Sequence, residues 1–440
     1  MLWKKDAEVA EWVTRFTVGE DYRWDTLLLP YDLEGTRVQA WTLHELALLS
    51  ESELKRIYRT LDELEVEWKE GQLTVRPEDE DCHTVIELRL VAELGEVGKR
   101  IHTGRSRNDQ VLVALRLFMM DHLLRVGDLT RQAALELCRL AERSPSILMP
   151  GYTHFQRAMP STAALWALGF AELMASDLVT LAAAHEQTSI SPLGSAAGYG
   201  VPLLSIPREE QARRLGFRTH QLHVTAVQLS RGKLELQAVH ALVQVAATAN
   251  RLASDLVLFN SSEFGFVTLP EELCTGSSIM PQKRNPDVAE LIRAGYHRLL
   301  AEMNLLATLP ANLPSGYHRD LQLTKEAAMR SLLLTADLLT ALRQIVHGVQ
   351  FDGSRAALAT TPEILATSRA LEKVRAGAPF RDAYRAAAGE LHTLETPEPD
   401  AVLQSYSVDG YPGRERPDLV RRLIKEQSQW LDELPAAPVA

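Results

Sequence analysis

The feature that most constrains the fold is a set of five long stretches with helical periodicity. Within residues 109–144, apolar side chains recur near helical spacing, and Gly127 is the only glycine. Similar stretches follow at 161–188, 228–259, 286–308 and 318–349. Each exceeds the roughly 8–20 residues of an ordinary globular helix. Period-two alternation is scarce, so we predict an all-α fold with an elongated central bundle of long helices.

Breaks rich in Gly, Pro and Ser divide the chain around this bundle. A coiled coil is excluded because no clean heptad persists with charged flanks. The stretches before and after the long helices predict shorter helices with more interruptions. We therefore predict an N-terminal helical domain over 1–106, the central bundle over 107–360 and a small C-terminal helical domain over 361–440. The last residues, 435–440, are expected to be frayed.

The net charge and the cysteine content limit which binding partners and which cellular compartment we expect for this chain. Lys and Arg number 47 and Asp and Glu number 58, which gives a net charge of −11. Such an acidic chain is a poor general nucleic-acid binder, because that role needs cations that neutralise phosphates. The three cysteines fit neither a disulfide framework nor a four-ligand zinc pattern. With no secretory signal and no run of 18 uncharged apolar residues, we expect a cytoplasmic protein without a membrane partner.

The most informative segment, residues 276–286, reads G-S-S-I-M-P-Q-K-R-N-P. Gly276 and the two serines predict a flexible loop that exposes hydroxyl groups. Asn285 and Pro286 are predicted as the N-cap and the first residue of the next helix. A doubly cationic loop that leads into a helix N-terminus suits carboxylates. By composition alone, a surface loop that merely caps a helix is the simpler alternative.

Three other breaks carry polar groups of the same kind. His154 lies in segment 151–160, which is predicted as a loop between helices, although a lone His is more often structural. Segment 102–110 carries two Arg before a long helix, and its alternative is an ordinary capped helix start. Segment 314–326 places Gln322 and Lys325 on one helical face, behind Tyr317. In an acidic chain, this clustering at helix ends predicts a site for a multiply anionic small molecule.

These segments also resemble a known family. Segment 276–286 resembles the G-S-S-x-M-P-x-K-x-N-P element of the fumarase/aspartase superfamily. The T-G-R-S-R-N-D-Q run at 103–110 and G-Y-T-H-F-Q-R-A at 151–158 are similar to the argininosuccinate lyase/delta-crystallin family. The acidic stretch D-E-D-C-H at 79–83 also resembles that family, and the likeness extends from about residue 75 to about residue 390.

The resemblance implies a fold, a reaction and an assembly. The expected protein is a homotetramer whose long helices form one central bundle, with each active site built by three subunits. The expected reaction splits argininosuccinate into fumarate and arginine by anti β-elimination. No cofactor and no metal are expected.

It also implies roles for individual residues. Ser277 and His154 would be the acid–base pair, with Glu290 tuning the histidine and Lys283 stabilising the anionic intermediate. Ser277 is favoured as the base, although the reverse assignment stays open. The expected substrate contacts are Ser106, Arg107, Asn108, Thr153, Gln156, Ser278, Asn285, Tyr317, Gln322 and Lys325.

One departure concerns the arginine end of the substrate. The family's early substrate-binding Ser has no match, and the best alignment places Asp21 there. An acid could hold the amino group of the arginine end but would repel its carboxylate. Two other functions stay open from the sequence. One is a sister lyase acting on another succinyl-amine such as adenylosuccinate, and the other is a non-catalytic protein like a lens crystallin.

Overall fold

The computed structural model describes residues 11–145, 147–396 and 398–434. The expectations for the chain start and for residues 435–440 lie outside this part. The helices are α1 Glu11–Val18, α2 Asp21–Glu45, α3 Glu51–Lys69, α4 Cys82–Leu94, α5 Arg107–Arg143, α6 Ala163–Thr188, α7 Arg208–Arg214, α8 Thr225–Leu229, α9 Lys233–Phe259, α10 Asp287–Thr308, α11 Leu323–Gly348, α12 Gly353–Ala359, α13 Ala366–Arg375, α14 Phe380–Gly389, α15 Pro399–Gln404, α16 Pro417–Gln427 and α17 Gln429–Glu433.

The five predicted long helices are confirmed as α5, α6, α9, α10 and α11. α5 packs against α6 and α11, and α9 packs against α6, α10 and α11. Their facing sides supply most of the buried Ala and Leu side chains, which allows the backbones to approach closely. An all-α fold with a central long-helix bundle is therefore confirmed, whereas the division into three domains stays a prediction.

The directions of the long helices define two ends of the bundle. Arg143, in the last turn of α5, donates to Val346 O at 2.6 Å near the end of α11, so α5 and α11 run in the same direction. α9 runs opposite to α10, because Gly232 at its start lies against Pro310, just past the end of α10. We call the starts of α5, α9 and α11 the pocket end. The start of α10 and the ends of α5, α9 and α11 form the loop end.

The length of the helices keeps these ends far apart. α10 has 22 residues and α5 has 37. At about 1.5 Å per residue, they span roughly 33 Å and 55 Å. Within one chain, a group at the pocket end of the bundle therefore lies about 30 Å or more from a group at the loop end.

α6 is, among the described helices, the one long and apolar enough to cross a membrane, by length and composition only. Half of that stretch is buried inside the bundle. In its middle, Asp177 accepts a hydrogen bond from Thr248 of α9, with an Oγ1–Oδ2 distance of 2.7 Å. This buried polar contact is typical of a bundle helix.

The predicted loop at 151–160 was wrong, because this segment forms a β-hairpin. β1 (Leu148–Thr153) pairs antiparallel with β2 (Gln156–Thr162), and Pro150 lies opposite Pro160. A two-stranded ribbon tolerates proline because both strands are edge strands. Two further ladders have two residues per strand. They are β3 (Ile190–Ser191) with β4 (Thr219–His220), and β5 (Val267–Thr268) with β6 (Gln350–Phe351).

The predicted helix start at Asn285 and Pro286 was also wrong. α10 begins at Asp287, with Pro286 in the N-cap position and no side-chain cap hydrogen bond. Asn285 instead pairs with Thr275 through two backbone hydrogen bonds of 2.8 and 3.1 Å. This bridge holds the backbone of Asn285 in place and closes residues 275–285 into a loop.

α2 contains a proline in its interior without losing its continuity. Pro30 has no N–H, so the carbonyl of Thr26, four residues earlier, has no helical donor. The indole Nε1 of Trp68 on α3 donates to that carbonyl at 3.0 Å. The proline therefore leaves the Thr26 carbonyl free to accept this hydrogen bond, which joins α2 to α3.

Candidate active site

A cleft of about 140 Å³ lies at the pocket end of the bundle. Five of the predicted site residues line it together, at the starts of α5 and α11 and in the segment before α11. They are Arg107, Asn108, Tyr317, Gln322 and Lys325. The N-terminal part of α2 forms another wall, with Asp21 and Asp25. The structure thus brings together residues that are more than 200 positions apart in the sequence.

Lys325 is buried and ion-paired with both carboxylates of α2. Its Nζ lies 2.5 Å from Asp25 Oδ1 and 2.9 Å from Asp21 Oδ2. Burial alone would lower the pKa of Lys325, but the charges of Asp25 and Asp21 outweigh it and raise that pKa. Burial raises the pKa of Asp21, and Lys325 opposes that shift. The lysine is therefore charged, and its charge is already balanced within the chain.

The start of α5 combines helix capping with cleft formation. Ser106 is the N-cap residue of α5, and its hydroxyl accepts a hydrogen bond from the backbone N–H of Asn108. Arg107 donates to Asp81 and to Thr84, both at 2.9 Å. The capped-helix interpretation therefore holds for Ser106, whereas Arg107 and Asn108 also face the cleft.

The start of α4 contributes to a buried hydrogen-bonded cluster with α2 and α5. His83 Nδ1 lies 2.7 Å from Asp32 Oδ2, and Gln110 Nε2 donates to both oxygens of Asp32. Asp32, Cys82 and His83 are, in the part of the chain that the structure describes, three potential metal ligands close together. Burial raises the pKa of the Cys82 thiol well above its usual value. The hydrogen bonds that join His83 and Gln110 to Asp32 make this group a buried polar cluster in the core.

The hairpin tip at the loop end carries the predicted catalytic histidine. Thr153, His154 and Gln156 are all exposed there. His154 and Phe155 form the turn with φ of 53° and 58°, a left-handed conformation that bulky residues rarely adopt. Phe155 is 79% exposed. A second cleft of about 400 Å³ lies beneath the tip, and its wall includes Trp166. The tip thus presents a histidine and an aromatic ring outward.

The Ser-rich loop lies at the same end of the bundle. The Ser277 hydroxyl accepts a hydrogen bond from the backbone N–H of Met280 at 3.1 Å. Ser278 and Lys283 are exposed, whereas Asn285 is half-buried and its backbone pairs with Thr275. This loop therefore offers hydroxyl, amide and ammonium groups to whatever covers it.

Glu290, in the first turn of α10, does not contact His154 within one chain. Its nearest described ionic partner is Arg293, at 3.6 Å. Among the described hydrogen bonds, none joins the hairpin tip to the Ser277 loop or to Glu290. Sequence reasoning also missed Arg231, a buried arginine in the cleft that lies just before α9 and belongs to no recognisable motif.

Comparisons with known proteins agree with this architecture. A family model described as a lyase matches residues 15–300. Argininosuccinate lyase from Thermotoga neapolitana is 44% identical, over 87% of this chain and 96% of the relative. Argininosuccinate lyase from Sorangium cellulosum is also 44% identical, over 96% and 98%.

Solved structures share the fold at lower identity. EDDS lyase in complex with formate gives a TM-score of 0.74 at 20% identity, covering 98% of this chain and 91% of that one. The 3-carboxy-cis,cis-muconate lactonizing enzyme from Pseudomonas putida gives 0.71 at 17% identity, covering 93% of each. With relatives of this identity spanning nearly its whole length, the chain belongs to the argininosuccinate lyase family of the fumarase/aspartase superfamily.

Proposed function

We propose that the chain catalyses the reversible anti β-elimination of argininosuccinate to fumarate and L-arginine, the last step of arginine biosynthesis. The observation that carries this proposal is the presence of both halves of the expected site in a member of this family. The cleft residues converge at one end, and Ser277, His154 and Lys283 are presented at the other.

The chemistry explains why exposed loops carry the reactive groups. A carbon-bound proton beside a carboxylate is a very weak acid, and its removal leaves a dianionic intermediate. Positioned acid–base groups supply about 10²–10⁴ in rate. Most of the remaining barrier reduction must come from donors and cations aimed at the new charge. Lys283 and the amides after Gly276 supply such groups once the loop closes over substrate. Whether Ser277 or His154 takes the carbon proton stays open, and we favour Ser277.

One chain cannot complete this site, because its two halves lie about 30 Å or more apart. A copy related by a two-fold axis across the helices runs in the opposite direction, so its loop end meets the pocket end of the first chain. Closed two-fold symmetry of this kind generates dimers and tetramers. Leu291 on α10 is 68% exposed and Ile279 in the Ser277 loop is 83% exposed, so apolar surface is present where such contacts are expected. We infer a homotetramer with shared active sites.

Complementation between inactive chains tests the shared site. We would co-express His154→Ala with Asn108→Ala under two affinity tags and purify the mixed assemblies. A site is intact when the hairpin comes from one chain and the cleft from the other, so random mixing restores about a quarter of wild-type turnover. The matched control mixes His154→Ala with Thr153→Ala, which alter the same hairpin and cannot complement. Mixed assemblies that stay inactive would contradict the shared site.

Turnover of two substrates side by side tests the reaction itself. Fumarate release, followed by ultraviolet absorbance, is expected from argininosuccinate and not from adenylosuccinate. Release from adenylosuccinate alone would identify a sister lyase. A folded protein that acts on neither substrate would support the crystallin-like alternative.

We also propose a cytoplasmic location, supported by the acidic composition and the three free cysteines. Fractionation of the source cells, with detection by a specific antibody, is expected to place the chain in the soluble cytoplasmic fraction. Recovery with the membrane or secreted fraction would contradict this location.

A further inference from the structure

A cavity of about 430 Å³ lies in the groove between α5 and α11, near the loop end of the bundle. Both helices contribute polar and cationic side chains to its wall. The lining residues are Gln132, Leu135, Glu136 and Arg139 of α5 and Arg343, Gln344 and His347 of α11. The volume falls within the roughly 300–1,000 Å³ of small-molecule sites. In a chain with a net charge of −11, a cavity lined by cations favours a negatively charged ligand.

Glu136 is the acidic residue of this lining, and its charge is already balanced within the chain. It is buried, with its Oε2 2.5 Å from Arg139 Nη1 and its Oε1 3.0 Å from His347 Nδ1. Burial would raise the pKa of Glu136, but the contacts with Arg139 and His347 outweigh it and lower that pKa. The carboxylate is therefore ionised, and it holds these two side chains at the cavity.

Arg143 adds positive charge next to Glu136. Its Nη1 lies 3.5 Å from Glu136 Oε1. Its Nη2 donates to the carbonyls of Val346 and His347 at 2.6 and 2.8 Å, so this arginine is occupied by the end of α11. The single negative charge of Glu136 is thus shared between two arginines and a histidine. The positive charge of the cluster exceeds its negative charge.

Arg343 is, in the part of the chain that the structure describes, a cation of the lining that no acid balances. Its Nη1 donates to Gln132 Oε1, and Gln132 Nε2 in turn donates to Asp128 at 2.5 Å. Among the described residues, Nε and Nη2 of Arg343 have no hydrogen-bond partner, and neither atom is buried. The side chain of Arg139 is 56% exposed and that of His347 is 73% exposed. The cationic side chains of the lining are therefore accessible to a ligand from solvent.

We propose that this cavity binds a small anion that carries at least one phosphate group. Guanidinium groups bind phosphate oxygens through paired N–H donors. A phosphate group offers three oxygens and up to about two negative charges, so it can use donors from Arg139, Arg343 and His347 together. A single carboxylate offers two oxygens in one plane and one charge. Glu136 does not repel such a ligand strongly, because both of its oxygens already contact cationic side chains.

The position of the cavity gives the bound anion a structural effect. It lies roughly 35–50 Å along α5 from Arg107 in the cleft at the pocket end. β1 begins at Leu148, shortly after α5 ends at Arg143, so the cavity lies near the base of the hairpin that carries His154. An anion that contacts Arg139 and Arg343 would join α5 to α11 there. We therefore expect the ligand to raise the melting temperature of the assembled protein.

Calorimetric titration of the assembled protein with pyrophosphate tests the proposal. Fumarate and L-arginine are present at saturating concentrations, so that the proposed active site is occupied. Arg343→Gln is expected to weaken pyrophosphate binding by about 10-fold or more and to remove the rise in melting temperature. Arg343→Lys keeps the charge without the paired donors and should lie between wild type and Arg343→Gln. Arg385→Gln removes the same charge from an exposed position on α14 and should bind as wild type does.

Several results would overturn the proposal. One is the absence of pyrophosphate binding in the wild-type assembly, as expected if a second copy of the chain covers the groove. Another is unchanged affinity in Arg343→Gln. Loss of wild-type binding when fumarate and L-arginine are added would place the anion in the active site instead. If Arg343→Gln does not assemble, unchanged affinity in Arg139→Gln, whose parent side chain is largely exposed, has the same meaning. Citrate carries its charges on carboxylates, and tighter binding of citrate than of pyrophosphate would contradict the phosphate assignment.

Discussion

The two ends of the bundle differ in how their charged and reactive groups are held. At the pocket end, charged groups sit on helices and are buried, and Lys325, Asp21 and Asp25 balance each other at fixed distances. At the loop end, His154 and Lys283 are exposed on a hairpin tip and a loop, with few contacts in their own chain. The pocket end is thus organised within one chain, and under the proposed shared site the loop end would gain its remaining contacts on assembly and loop closure.

The largest expected effect is on turnover at the loop end. Ser277→Ala removes one member of the acid–base pair, so kcat is expected to fall by about 10²–10⁴. Because Ser277 is partly exposed and its hydrogen bonds within the described part of the chain stay in its own loop, the melting temperature should stay unchanged. Fumarate release and thermal unfolding measure the two quantities. Gln282→Ala, in the same loop, is the control and should retain turnover. Survival of turnover in Ser277→Ala would show that the assigned role is wrong.

At the pocket end, the expected effect is on stability. Lys325→Met leaves Asp21 and Asp25 close together without their counter-ion, and breaking a buried ion pair in this way costs about 3–5 kcal/mol. Urea unfolding of the variant measures the loss. The double variant with Asp25→Asn removes one of the stranded charges and should recover part of it. The exposed lysine offers the contrast, because Lys283→Met should leave unfolding unchanged. Equal stability of the two lysine variants would remove the distinction between the ends.

The middle of the bundle provides a smaller, pH-dependent effect. Burial raises the pKa of Asp177 to about 6 from its ordinary value near 3.8. The folded state therefore holds this proton more tightly than the unfolded chain, and stability falls as the pH rises from about 4 to about 6. Asp177→Asn removes this penalty and should stabilise the protein by about 1–3 kcal/mol above pH 6. Below pH 4 the two proteins should unfold alike. A stability difference that is the same at both pH values would contradict this account.

The helices were predictable because their pattern is local. Apolar spacing along a single stretch indicated α5, α6, α9, α10 and α11 to within a few residues. The hairpin was missed because Pro150 and Pro160 indicate breaks when each is considered alone, although they lie opposite each other in a ribbon. The cap at Asn285 failed for the same reason, since its backbone partner, Thr275, lies ten residues earlier.

The candidate site was predictable in its members but not in its pairings. The sequence indicated Tyr317, Gln322 and Lys325 as one group, and the cleft contains all three. It could not show that Lys325 pairs with Asp25, which lies 300 residues away. Arg231 has no motif and becomes visible only because the fold buries it with donors unsatisfied. Contacts across such separations depend on the whole fold, and no local pattern encodes them.

The proline within α2 has a consequence for the geometry of the cleft. Asp21 and Asp25 are one helical turn apart on α2, just before Pro30. The hydrogen bond from the Trp68 indole to the Thr26 carbonyl therefore limits how far α2 can slide or rotate against α3. Trp68→Phe would keep the aromatic bulk but release this anchor, so a change remote from the cleft would shift the register of its two acids against Lys325. The proline in α2 thus helps to set where Asp21 and Asp25 lie relative to Lys325.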